Sequence, residues 1–128
     1  MSKALILIVD DNPINLELAA DLLMLESFRV MVVDNGTACL DVAQKEAPDL
    51  ILMDIRMPDM SGLEAMQYLR KMEATAHIPI VALTASVMTG EKERLLAAGF
   101  DGFMQKPIDV ASFVDDVRSF MGSRASIQ

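Results

Sequence analysis

The chain of 128 residues contains no tryptophan, one tyrosine, one histidine and one cysteine. The single thiol, Cys39, excludes an intramolecular disulfide and fits a reducing compartment. It sits in an apolar-leaning helical segment without a neighbouring base or cation cluster, which reads as a buried, inert thiol. No apolar run approaches the roughly 20 residues that span a bilayer. The opening "MSKALILIVDD" runs straight into acid with no small-residue cleavage site, so it reads as a strand and not as a signal peptide. Basic residues are also scarce, 11 against 19 acidic ones for a formal net charge of -8. That balance argues against direct nucleic-acid binding, which needs a basic face. Internal repeats, low-complexity segments and linkers are missing too. What remains is one globular domain, 52% hydrophobic and 23% charged, with material for a single core.

Apolar runs alternate with helical patterns along the whole chain. Strands are predicted at Ala4 to Val9, Arg29 to Val33, Leu50 to Met53, Ile80 to Leu83 and Gly102 to Met104. Apolar spacing of three and four predicts helices through Leu18, Leu22 and Leu25, through Leu63, Met66 and Leu69, and through Val110, Phe113, Val114 and Val117. A shorter helix is predicted over Gly36 to Ala47, and a weakly amphipathic one over Thr89 to Ala98. Asn12 before Pro13 suits a helix start, "SGLE" at Ser61 to Glu64 matches a capping box, and Gly99 after "LLAA" marks a helix end. The acid pair Asp115 and Asp116 reads as a solvated helix face. Five strands alternating with five helices predict an α/β fold of (βα)5 type. Its near-continuous apolar strands belong in a parallel sheet with helices on both faces.

Such sheets bind ligands beyond the carboxyl ends of their strands. There the chain places Asp10, Asp11 and Asn12 after the first strand, Asp54 after the third, Thr84, Ala85 and Ser86 after the fourth, and Lys106 and Pro107 after the fifth. Three crowded carboxylates repel one another unless a hard cation binds, and an all-oxygen site open to water suits Mg²⁺. With a metal and Lys106 supplying positive charge, one carboxylate is free to act as a nucleophile and form an aspartyl phosphate. Metal, lysine and hydroxyl would then bind the phosphoryl oxygens.

The segments "VDDN", "DLILMDIRMPDMSG", "IPIVALTA" and "AGFDGFMQKPI", in this order and on these elements, resemble the receiver domain of two-component response regulators. The resemblance covers about Ala4 to Met121. It implies a receiver over residues 1–122 with a tail over 123–128, and a doubly wound, flavodoxin-like sheet of strand order 2-1-3-4-5. It also implies that Asp54 takes a phosphoryl group from a phosphohistidine on a histidine kinase or histidine phosphotransfer protein. By the same resemblance, Mg²⁺ is held by Asp10, Asp11, Asp54 and the Arg56 carbonyl, and Thr84 and Lys106 bind phosphoryl oxygens. Thr84 and Phe103 then form a switch that changes the face made by the fourth helix, fifth strand and fifth helix. Phosphotransfer and dephosphorylation are self-catalysed, so the protein is expected to be a switch and not an enzyme. It is expected to be cytoplasmic, monomeric or weakly dimeric, and to act on an output protein the sequence does not name.

Several positions carry two readings. Phe103 is either a core phenylalanine or the switch aromatic. Arg56 and Ser86, two residues past Asp54 and Thr84, either tune phosphate lifetime or are ordinary surface residues. Asn15 resembles receivers of hybrid kinases and some stand-alone regulators, but also fits a polar helix surface. His77 lies in a loop, whereas a phosphohistidine is presented on a helix face. The methionines read as core filler, with Met88 and Met104 near the output face. A Mg²⁺-dependent phosphatase of the haloacid dehalogenase type would need an acid two residues after the nucleophile, where Arg56 stands. A phosphate-independent module of the same fold is disfavoured by the complete acceptor set. "HIPIVALTASVMTGEKERL" resembles stand-alone receivers of the cell-division regulator type, although a receiver cut from a hybrid kinase or a larger regulator fits as well.

Overall fold

The computed structural model describes residues 3–85 and 90–125, with the side chains of the last helix described through Met121. Its elements alternate strictly: β1 (Leu5–Val9), α1 (Pro13–Leu25), β2 (Arg29–Val33), α2 (Gly36–Glu46), β3 (Leu50–Asp54), α3 (Gly62–Lys71), β4 (Ile80–Thr84), α4 (Glu91–Ala98), β5 (Gly102–Gln105) and α5 (Phe113–Ala125). The five strands form one parallel sheet in the order β2-β1-β3-β4-β5. No helix among the described residues is long and apolar enough to cross a membrane.

The period-2 alternation of the strands divides the core into two layers. Ile6 and Ile8 of β1, Leu50 and Leu52 of β3, and Val81 and Leu83 of β4 pack with α1 and α5. Their neighbours Leu7, Val9, Ile51, Met53, Ile80 and Ala82 pack with α2, α3 and α4. β1, β3 and β4 are buried at every position. The expectation of two-sided burial fails at the edge: β2 exposes Arg29 and Val32, because an edge strand has one neighbour and thinner helix cover.

Helix boundaries follow local chemistry. Asn12 caps α1 by accepting hydrogen bonds from the Ile14 and Asn15 N–H groups, with Pro13 in the first turn. Ser61 and Glu64 form the reciprocal capping box of α3, and Gly99 ends α4 at φ 127°. The buried face of α1 differs from the leucine spacing. Ala19 and Leu23 are buried, Leu16, Ala20 and Leu22 pack beside them, and Leu25 is 79% exposed. Alanines thus share that face with leucines outside the predicted row. Val110 likewise lies outside α5, in the turn before Phe113, and is exposed. α4 is short, begins at Gly90 without a side-chain cap, and buries only Leu95 among its residues. α5 continues to Ala125, past residue 122. Ser86, Met88 and Thr89 lie outside the described residues.

Candidate functional site

Strand register brings the polar residues to one rim. Val9 pairs with Met53, so Asp10 emerges beside Asp54. Asp54 pairs with Leu83, placing Thr84 one step further, and Thr84 pairs with Gln105. Lys106 follows, its backbone N–H donating to the Thr84 carbonyl at 2.8 Å.

The Lys106 ammonium sits between two carboxylates, 3.0 Å from Asp10 Oδ2 and 3.1 Å from Asp54 Oδ2. Asp10 also accepts from the Asn12 N–H at 2.9 Å and from the Asn15 amide at 3.4 Å. Asn15 therefore faces the acidic site. Asp54 accepts from the Arg56 N–H at 3.3 Å. Asp10 is 1% exposed and Asp54 5%, whereas Asp11 is open to solvent. Carboxylate oxygens of Asp10, Asp11 and Asp54 all lie within 4.8 Å of one another.

Burial pushes the Asp54 carboxyl up from its ordinary value, opposed by the Lys106 hydrogen bond and reinforced by the charge of Asp10. Burial also works against the Lys106 charge, but hydrogen bonds and attraction from Asp10 and Asp54 outweigh it and raise the ammonium's pKa. The contact thus satisfies the lysine while leaving Asp54 under-compensated. Three carboxylates against one ammonium leave two negative charges, which a divalent cation would balance. The donor set is all oxygen and includes one solvent-exposed carboxylate, so it fits Mg²⁺ with water completing the coordination.

Thr84 is 8% exposed at the rim. The Arg56 side chain is exposed. Phe103 is half-buried against the α2–α3–α4 layer, with Lys92 Nζ 5.4 Å from its ring centroid. Met104 points to the other layer, where it lines a cleft of about 230 Å³ with Ile108, Phe113 and Phe120.

Two residues between β3 and the first turn of α3 escaped the sequence reading. Gly62 donates its N–H to the Ile55 carbonyl at 2.7 Å, and a Cβ there would collide with the Asp54 carbonyl. Glycine in the first turn of a helix, where better helix formers are available, was the usable signal for that close approach. Asp59 accepts from the Gly36 and Thr37 N–H groups and from the Thr37 hydroxyl. Its partners lie more than 20 residues away in sequence, and no local pattern announces them.

Residues 6–118 match the model of the response regulator receiver domain. The chain belongs to that family. This receiver is 38% identical over 117 residues to the polar-differentiation response regulator DivK of Brucella anthropi, covering 91% of this chain and 95% of DivK. Its fold superimposes on the chemotaxis response regulator CheY4 of Vibrio cholerae with a TM-score of 0.87 at 26% identity, over 93% and 99% of the two chains. The receiver domain of a Pseudomonas aeruginosa sensor histidine kinase is 32% identical with a TM-score of 0.85, over 94% and 99% of the chains, and holds a magnesium ion in its active-site cleft. This receiver is a phosphorelay signalling module of two-component systems.

Proposed function

We propose that Asp54 is the phosphoryl acceptor of this receiver and that Mg²⁺ is its cofactor. The supporting observation is the buried Asp10–Lys106–Asp54 bridge with Asp11 beside it at the strand rim. Asp10, Asp11, Asp54 and the Arg56 carbonyl would hold the metal. Bound there, Mg²⁺ supplies positive charge to phosphoryl oxygens and balances the acidic cluster. An Asp54 carboxylate oxygen attacks phosphorus, the new P–O bond replaces the P–N bond of a phosphohistidine, and the imidazole nitrogen keeps the electron pair. Lys106 then neutralises one phosphoryl oxygen and the Thr84 hydroxyl donates to another.

The donor is a histidine kinase or histidine phosphotransfer protein, and the setting is cytoplasmic. Thr84 moves toward the phosphoryl group, Phe103 turns into the space it leaves, and the α4–β5–α5 face changes for an output protein. The chain is monomeric or weakly dimeric, and its only catalysis is on itself. Intact-protein mass after incubation with a small acyl phosphate tests the assignment. One Mg²⁺-dependent phosphoryl adduct is expected on the wild type and none on Asp54→Asn. An adduct that persists in folded Asp54→Asn would refute the acceptor.

A further inference from the structure

The loop from β3 to α3 is fastened at both ends. At its base the Ile55 N–H donates to the Leu83 carbonyl at 3.2 Å, and the Ile55 carbonyl accepts from Gly62 at 2.7 Å. At its tip Asp59 Oδ1 accepts from the Gly36 N–H at 2.8 Å. Asp59 Oδ2 accepts from the Thr37 N–H at 2.9 Å and from Thr37 Oγ1 at 2.7 Å. Met60 sits so close to Gly36 that a Cβ there would collide with its side chain. The tip is therefore clamped to the first turn of α2, an anionic group set against the positive end of a helix.

This clamp is not the helix's own cap. Asn35 caps α2 separately, accepting from the Ala38 N–H at 2.8 Å. An exposed aspartate that accepts three hydrogen bonds is thus spent on holding its own loop. The Thr37 hydroxyl, followed by the Gly36 and Thr37 N–H groups, keeps the Asp59 carboxyl well below the usual carboxylate range. Between the two anchors lies Arg56, tied to Asp54 only by a long 3.3 Å bond. Pro58 fixes one φ angle in the short run from Arg56 to Asp59, so displacement of the tip is carried back along the chain. Releasing the tip would add conformers to the loop that carries Arg56.

We propose that Asp59 is a positioning residue that sets the Mg²⁺ affinity of the acidic cluster by holding the Arg56 carbonyl in place through the first turn of α2. The inference rests on the reading of that carbonyl as a metal ligand. Calorimetric Mg²⁺ titration of the full chain and of Asp59→Ala, Asp59→Asn and Asn35→Ala tests it. Asp59→Ala should bind Mg²⁺ about tenfold more weakly, the lower end of what supporting contacts around a metal contribute. Asp59→Asn, which keeps an acceptor oxygen, should fall between. Asn35→Ala should lower the melting temperature by weakening α2, yet leave Mg²⁺ affinity at the wild-type value. Phosphorylation of Asp59→Ala by acyl phosphate should need more Mg²⁺ but reach the wild-type rate at saturation.

Wild-type affinity in Asp59→Ala would overturn the inference. Equal weakening in Asn35→Ala would also overturn it, since helix stability and not loop position would then be responsible. A wild-type chain that binds Mg²⁺ but takes up no phosphoryl group would defeat the acceptor assignment alone, because the affinities would still report on Asp59. Absence of Mg²⁺ binding in the wild type would overturn both.

Discussion

The Lys106 ammonium stands 3.1 Å from the Asp54 carboxylate, yet the contact does not compensate Asp54 for its burial. Lys106 is shared with Asp10, whose negative charge also faces Asp54. A carboxyl whose pKa is raised on folding binds protons more tightly in the folded state. Its ionised form therefore costs stability above that raised pKa, and the cost is relieved as pH falls through it toward the unfolded value.

Asp54→Asn should accordingly remain folded and, with chelator at neutral pH, unfold at a higher temperature than the wild type. The expected gain is read as a rise in melting temperature. The gain should shrink as acid protonates Asp54 in the wild type. Added Mg²⁺ should raise the wild-type transition more than the variant's, because the variant has lost one of the proposed charged ligands. Thermal unfolding with Mg²⁺ and with chelator checks both statements, and a less stable variant in chelator would contradict the electrostatic account.

Lys106→Ala should act in the opposite direction. It leaves Asp10 and Asp54 buried without their shared cation, a loss of about 3 kcal/mol in chelator by comparison with other broken buried pairs. The same change removes a positive charge next to the proposed metal ligands, so Mg²⁺ should bind more tightly and recover part of the stability. Acid should recover part of it as well, because protonation removes the repulsion between the carboxylates. Calorimetry and unfolding measured together give the test. Weaker Mg²⁺ binding in the variant would show that the lysine orders the site more than it repels the metal. On the proposed role of Lys106, response to the phosphoryl donor should be impaired, since the phosphoryl oxygens would lose their ammonium.

The rim was legible in the sequence because it depends on strand ends. Asp10, Asp54, Thr84 and Lys106 each follow or finish an apolar run, and a parallel sheet gathers such positions at one edge. The α1 and α3 starts were legible because caps are local in sequence. The helix of α1 was legible from its leucine spacing, but its buried residues Ala19 and Leu23 were not, since alanine carries little hydrophobic signal. Contacts joining distant segments left no pattern to find. Asp59 to Thr37 spans 22 residues, and Arg70 to Asp101 spans 31. The contact of the Asn15 amide with Asp10, five residues away, was equally unannounced.

Cys39 was read as inert, and its surroundings give that reading a measurable form. The thiol is fully buried in the α2 layer of the core, and burial pushes its pKa up to about 12. Thiolate is the reacting species, so little of it exists at pH 8 and none is accessible. An alkylating reagent should label the native chain only as fast as the core opens, and labelling should become rapid in denaturant. Intact mass against time reads the rate directly. Fast labelling of the folded protein would mean that the α2 layer opens locally.

Arg70 offers a test of stability independent of the site. Its guanidinium donates to the Ala76 carbonyl at 3.1 Å, the Ile78 carbonyl at 2.6 Å, the Gly99 carbonyl at 3.0 Å and Asp101 Oδ2 at 2.6 Å. Asp101 Oδ2 also accepts from the Ile80 N–H at 2.7 Å. One side chain thus joins the end of α3, the approach to β4, the end of α4 and the entry to β5, at the sheet edge opposite Asp54. Arg70→Ala should lose about 3 kcal/mol by leaving these acceptors unpaired, roughly 10 °C in melting temperature. Arg70→Lys should recover little, because a compact ammonium cannot reproduce the planar fork that reaches all four acceptors. Below the unfolding transition, Mg²⁺ affinity and adduct yield should match the wild type in both variants. A loss of Mg²⁺ binding at that temperature would show that the two ends of the sheet are coupled through β4.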